Sequence, residues 1–200
     1  MTLADSAQGS PLFQRVQAIL MRPKQEWQVI DGETTTTSDL YRRYVAPLAA
    51  VPAVAQLIGG VVFGYGLGPI GSIRVSIGSA ITQAIVTYAL TLVGIYVFAL
   101  IIDALATNFG GTKNSMQALK VAAYSSTAQW VAGVFLVLPA LGFLSILGVY
   151  SLYLLYLGMP VLMRAPQERA LTYTIAVVVV GIVITFVIAA IAGSFTAGLI

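Results

Sequence analysis

Asp103 is the one carboxylate that touches a long charge-free run of this chain, and Lys120 opens the next such run after a short loop. An ionisable group at the edge of an apolar segment is a candidate functional site, because charge is costly inside a membrane and is kept there for a reason. Their placement at facing ends of consecutive segments predicts a structural ion pair, with transport as the competing role. Between them lie Asn108, the Gly110-Gly111 pair, Lys113 and Asn114, a loop whose backbone N–H groups could approach an anion. It has neither the Walker spacing nor the Lys-Ser/Thr that a phosphate loop needs. With no histidine and no cysteine, the usual general bases, thiol nucleophiles and zinc or haem ligands are missing. Glu26, Glu33 and Glu168 have no partner constellation, and an intramembrane aspartyl pair would need a second buried aspartate. The residues predict no enzyme, no cofactor and no metal.

The elements that must position these residues are membrane helices. Hydrophobic residues make up 58% of the 200 and charged residues 8%, against about 25% in a soluble domain. Residues 121–163 carry no charge and are broken only near the middle, by Pro139. One helix of that length would reach about 65 Å, roughly twice a ~30 Å hydrocarbon core. The run therefore folds back on itself near residues 138–142. Further charge-free runs at 44–73, 75–102 and 170–200 each supply the ~20 apolar residues of a span. The expected fold is an all-α integral membrane bundle of five helices, over 44–66, 77–102, 118–138, 141–163 and 171–193. A segment over residues 1–43 precedes the transmembrane domain 44–200.

Orientation follows from the cations. With the N-terminus in the cytoplasm, Arg15, Arg22, Lys24, Arg42, Arg43, Lys113, Lys120, Arg164 and Arg169 all lie inside and Arg74 alone lies outside, a strong positive-inside pattern. Five spans then place the C-terminus outside. The net charge of +3 is orientation charge and predicts no nucleic-acid partner. Residues 1–43 hold no apolar run long enough for the core of a signal peptide.

Within that segment, residues 1–9 are small and polar and are expected to be disordered. Ser10 and Pro11 start a helix over 10–22, with Leu12, Phe13, Val16, Ile19 and Leu20 on one face, and Pro23 ends it. Such a helix either lies in the interface against anionic lipid headgroups or packs on the bundle, and Trp27 suits the interface in both cases. Asp31-Gly32 reads as a turn, residues 34–37 as an extended linker, and Ser38 or Asp39 as the cap of the first membrane helix.

In the first span Pro47 and Pro52 favour kinks, and the Gly60–Gly64–Gly68 spacing favours close helix packing. Polar residues collect on the second span (Thr82, Gln83, Thr87, Tyr88, Thr91, Tyr96), the third (Tyr124, Ser125, Ser126, Thr127, Gln129, Trp130) and the fourth (Tyr150, Ser151, Tyr153, Tyr156). These faces are expected to point into the bundle, for interhelical hydrogen bonds or, as the alternative, a solute pathway.

Several phrases carry a family resemblance: Leu12-Phe13-Gln14-Arg15-Val16, Pro23-Lys24, Glu26-Trp27, Asp39-Leu40-Tyr41, Tyr44, Pro47-Leu48, Gly111-Thr112-Lys113-Asn114-Ser115, Tyr124-Ser125, and Tyr153 through Pro160 with Tyr156. Together they resemble the bacterial branch of the Yip family, whose eukaryotic members interact with Ypt/Rab GTPases. The resemblance implies five spans, a cytoplasmic N-terminus and a bacterial inner-membrane location. Arg42-Arg43 replace the Gly-Pro that follows Asp-Leu-Tyr in the eukaryotic motif. Two functions compete: a non-enzymatic membrane protein that binds partners or organises the bilayer, and a small oligomeric transporter or channel for ions or small solutes. Expected partners are the bilayer, anionic headgroups, and a second copy or another membrane protein.

Overall fold

The computed structural model describes residues 11–66, 72–73 and 76–197, with side chains described outside 65–75 and up to residue 183. The expected disorder of residues 1–9, the Ser10 cap, Gly68 and Arg74 lie outside the described residues. Pro23 has no N–H to give and is at home in a first helical turn. It therefore does two things: helix α1 (Pro11–Met21) stops before it, and α2 (Pro23–Gly32) starts on it. Asp31-Gly32 is the last turn of α2 and not a separate turn, because burial of Trp27 and Ile30 holds this helix to its end. Thr36 caps the next helix in place of Ser38 or Asp39, its hydroxyl accepting from the Asp39 N–H at 3.1 Å. That helix, α3 (Thr37–Val62), begins earlier than expected and passes through a π turn at Tyr41–Val45. The widened turn lies immediately before Pro47, whose ring would crowd the carbonyl four residues back.

A two-residue antiparallel pair, β1 (Tyr65–Gly66) and β2 (Ser72–Ile73), with Tyr65 opposite Ile73, leads into α4 (Ile77–Phe109). Helices α5 (Ser115–Ser125) and α6 (Thr127–Ala132) continue into a 3-10 stretch at Gly133–Val137. The backbone turns extended at Leu138, where Pro139 starts α7 (Pro139–Leu162), 3-10 in its first half and α-helical from Tyr150. The fold-back expected near residues 138–142 is thus present, but 3-10 coil flanks it on both sides. The last helix is α8 (Gln167–Ala197).

The architecture is helical. Among the described residues three helices, α3, α4 and α7, are long and apolar enough to cross a membrane. Helix α4 packs on α3, α5 and α8, while α7 packs on α5, α8 and α2. The core runs through Leu154, Met159, Val121 and Ile102, and it continues up to Trp27 and Ile30 of α2. Close approach between α3 and the 3-10 stretch depends on Gly59, where a side chain would meet the Leu136 carbonyl at 2.5 Å. The expected Gly60–Gly64 face is not used this way, since Gly64 lies past the helix end at φ 74°. Large apolar side chains such as Ile85, Leu90, Phe143 and Ile146 point outward, as lipid-facing surfaces do.

The expected inward polar faces are present only in part. Tyr124, Ser125, Thr127 and Trp130 are buried, but Thr82, Gln83 and Tyr96 are exposed. Thr82 donates to the Gly78 carbonyl, Thr91 to the Thr87 carbonyl, and Gln83 to the Thr87 hydroxyl. A hydroxyl bonded to its own helix needs no partner across the bundle, so this face can turn outward.

Candidate functional site at the N-terminal face of the bundle

The chemistry-bearing side chains meet where α1 and α2 cover the ends of α3, α5 and α7. Leu12, Val16 and Leu20 pack on the core and Ile19 is wholly buried, so the apolar face of α1 is spent on the bundle. Phe13 and Met21 stay exposed. Trp27 does not sit at a lipid interface: it is 0% exposed, lodged against Gly158 of α7, where a Cβ would come within 2.9 Å of the indole. Only a glycine leaves room for a ring that close.

One cation clasps the two short helices. Arg15 of α1 donates to the Glu26 carboxylate of α2 and to Glu33 just beyond it, and its guanidinium lies over the Tyr124 ring at 5.9 Å from the centroid. Burial works against the charge, but hydrogen bonding to Glu33 and the fields of Glu33 and Glu26 outweigh it, and the Arg15 pKa is raised. Tyr124 also meets Trp27 edge-on at 6.3 Å and Tyr44 at 4.4 Å. The Tyr44 and Thr127 hydroxyls are 2.7 Å apart, and Thr127 donates in turn to the Tyr124 carbonyl at 2.6 Å. Beside this cluster opens a cavity of about 290 Å³ lined by Arg15, Thr34, Asp39, Arg43, Tyr44 and Tyr124.

A second cation ends α2. Lys120, 3% exposed, donates to the Ile30 carbonyl at 2.9 Å and the Glu33 carbonyl at 2.6 Å. These are acceptors at a helix C-terminus, which the helix dipole makes a favourable seat for a positive charge. This corrects the expected Asp103–Lys120 ion pair: among the described residues none joins them. Two carbonyls brought by a remote helix satisfy the ammonium instead. Asp103 stays on α4 with its Oδ1 buried and unpartnered among the described residues, next to Ile102, whose carbonyl accepts from the Tyr173 hydroxyl. Asp31 links the same face to α5 and α7, accepting from Gln117 at 3.2 Å and Arg164 at 2.8 Å.

The structure brings Asp39, Tyr41, Lys120 and Tyr124 of the sequence-predicted residues to this face. Asp39 accepts from Thr36 at 2.6 Å and faces Arg43 at 3.8 Å. Tyr41 donates to the Leu92 carbonyl at 2.9 Å, tying α3 to α4. Pro47, Asn108 and Lys113 are exposed. Tyr153 and Tyr156 line a separate groove between α7 and α8. The two glycines of the 106–115 loop do not offer their N–H groups to an anion. Gly110 and Gly111 donate to the Thr107 and Ala106 carbonyls, and Thr112 donates to the Met163 carbonyl at 2.8 Å. Arg15, Asp31 and Gln117 gave no local signal, because their partners lie far along the chain.

Because Asp103 and Lys120 share no partner, Asp103→Asn and Lys120→Met should act additively within about 0.5 kcal/mol in a double-mutant cycle. A larger coupling in detergent melts would restore the direct pair.

Among curated proteins, the chain is 26% identical to the inner membrane protein YohC of Escherichia coli strain K12 over 179 residues, which is 88% of this chain and 92% of that one. The same figures hold for inner membrane protein YohC of Escherichia coli O6:H1. No solved structure matches. The Yip1 domain model matches residues 18–188, from within α1 through most of α8 and including all of α2, so the chain belongs to the Yip1 domain family.

Proposed function

We propose that this protein is a non-enzymatic inner-membrane protein of five spans whose N-terminal face, in the cytoplasm, is a rigid basic platform that binds partners. The observation that carries this reading is the sealing of the bundle by α1 and α2. The two helices are fastened by Arg15, Trp27 and Lys120 while Arg22, Lys24, Arg42, Arg43, Lys113, Arg164 and Arg169 are all exposed around them. Arg15 and Lys120 are spent on structure, and apart from Glu168 the exposed charges are cationic, which suits anionic headgroups or an acidic protein surface. Helices α3, α4 and α7 have crossing length; α5 through Val137 and α8 supply the other two spans. The related inner membrane protein YohC supports the location.

Orientation is tested by reporter fusions. A fusion after residue 112 should report cytoplasm, and one after Ile200 should be active only outside; a cytoplasmic C-terminus overturns the five-span reading.

Function is tested by photo-crosslinking side chains placed in cells at Lys24 and Lys113. Both should give the same discrete adduct, while a position at Gly142, near the opposite end of α7, should not. Proteoliposomes holding the protein should show no flux of ions or small solutes above empty vesicles. Absence of any platform-specific adduct together with a measured flux would replace this reading with transport.

A further inference from the structure

Two recesses follow one another along α3. The first is the cavity of about 290 Å³ beside Arg15, whose wall includes Asp39 and Arg43 of α3. The second is an apolar groove of about 350 Å³, formed by Pro47, Ala50, Val54 and Ile58 of α3 and by Val134 and Val137 of the facing 3-10 stretch. Residues 39, 43, 47, 50, 54 and 58 recur at steps of four and three, which is one stripe of a helix. Pro47 stands about 6 Å beyond Arg43 by helix rise, so the polar recess lies at the head of the groove.

The length of the groove matches a lipid chain. Arg42 and Arg43 are the last charges before the charge-free run 44–73, and long cationic side chains at such a point reach into the headgroup layer. From Pro47 to Ile58 is about 16 Å, one half of a ~30 Å hydrocarbon core. The groove thus spans the leaflet on the N-terminal side of α3. Its two walls are drawn together at glycines: a side chain at Gly133 would meet the Pro52 Cβ at 2.6 Å, and one at Gly59 the Leu136 carbonyl at 2.5 Å. The charges of the polar recess set its chemistry. Arg15 is spent on Glu26 and Glu33, which leaves Arg43 and Asp39. These stand 3.8 Å apart, too far for a hydrogen bond, with the Arg43 side chain exposed and that of Asp39 about half exposed. Thr36 donates to one Asp39 oxygen at 2.6 Å, and the other accepts no hydrogen bond among the described residues. A cation and a carboxylate side by side complement a ligand that carries both signs. An anionic headgroup would gain at Arg43 and lose at Asp39.

We propose that this stripe of α3 binds a zwitterionic phospholipid of the bilayer, its phosphate on Arg43, its primary ammonium on Asp39 and one acyl chain in the groove as far as Ile58. Only an ammonium that keeps its N–H bonds can donate to the carboxylate, which separates an ethanolamine headgroup from a choline one. The site needs α3 to enter the bilayer at Arg43. It does not need the basic platform to bind a partner.

The test is native mass spectrometry of the full chain in detergent, with phosphatidylethanolamine, phosphatidylcholine and phosphatidylglycerol of the same acyl chains titrated in turn. The first phosphatidylethanolamine should bind about ten-fold more tightly than either of the others, the size of one charge-assisted hydrogen bond. Asp39→Asn should bring phosphatidylethanolamine down to the level of phosphatidylcholine while raising phosphatidylglycerol, and Arg43→Gln should weaken phosphatidylethanolamine about ten-fold. Ala50→Leu, which fills the groove, should weaken it several-fold. Should that variant melt early, Val54→Phe at the exposed rim of the groove repeats the test. Val86→Phe, on the exposed face of α4 outside the groove, should change nothing. Nor should Lys24→Gln combined with Lys113→Gln, which strips cations from the platform alone. Glycerophosphoethanolamine, the same headgroup without chains, should fail to displace the lipid. Equal binding of the three lipids, or tighter binding of phosphatidylglycerol to the parent chain, overturns the proposal. So does binding indifferent to Asp39 and Arg43 or to both groove fillings, and so does ready displacement by the chain-free headgroup.

Discussion

Trp27→Ala is expected to cost about 3–5 kcal/mol, the usual range for deleting a buried aromatic ring. The ring is wholly buried and touches Gly158 of α7 and Tyr124 of α5, so its loss opens a cavity where α2 is wedged into the bundle. Its indole N–H has no partner among the described residues, which means that shape rather than hydrogen bonding holds it. Trp27→Phe should therefore cost clearly less than Trp27→Ala. The complementary change, Gly158→Ala, forces a methyl to within 2.9 Å of the ring and should cost about 1–3 kcal/mol by overpacking. Combined with Trp27→Ala, the same alanine should cost far less, because the atom it strikes is gone. Unfolding in mixed micelles, followed by circular dichroism, measures all four variants. A Gly158→Ala penalty that persists without the tryptophan would show that the contact is not the cause.

Lys120→Met should be nearly as damaging, at about 2–4 kcal/mol. It removes two charge-assisted hydrogen bonds, leaving the Glu33 carbonyl without its donor and the Ile30 carbonyl with only the Glu33 N–H, at the buried end of α2. The bonds go to backbone atoms, so Glu33→Ala should leave them intact. It should cost only about 1 kcal/mol or less, since the Arg15–Glu33 pair it breaks is partly exposed. A second readout follows from the geometry. Once α2 is loosened, trypsin should cut after Lys24 several-fold faster in Lys120→Met than in the parent protein, with the membrane helices still intact. Equal cleavage rates would mean that Lys120 is not what fastens α2.

These two sites also mark the boundary of what can be read from sequence. That Lys120 stands at the head of an apolar helix is visible directly, because charge is scarce in this chain and its position along the run is unambiguous. Its partner is not visible. The acceptors are backbone carbonyls some 90 residues away, and any residue type could have supplied them. Asp103 was the natural guess because its charge is opposite and its helix is adjacent. Trp27 shows the same limit, since a tryptophan near a membrane helix suits the interface by its chemistry. The pocket that takes it exists only because Gly158 stands across from it in space.

Residue types and spacing by themselves determined the helical class, the membrane location, the helix break at Pro139 and the end of α1 before Pro23. Each rests on a property of one contiguous stretch: apolar length set against bilayer thickness, or a ring that lacks an N–H. Tertiary structure decided the rest. The apolar face of α1 fits a lipid interface and a helical bundle equally well by composition, since both bury the same side chains, and only the packing of Ile19, Trp27 and Ile30 chose the bundle. The polar stripe of α4 divides: Thr82, bonded to a carbonyl of its own helix, and Gln83 face outward, while Tyr88 reaches across to the Ala46 carbonyl of α3. Burial energy depends on how much surface is covered and not on what covers it, so a sequence can state that a face must be buried while leaving its partner to the fold.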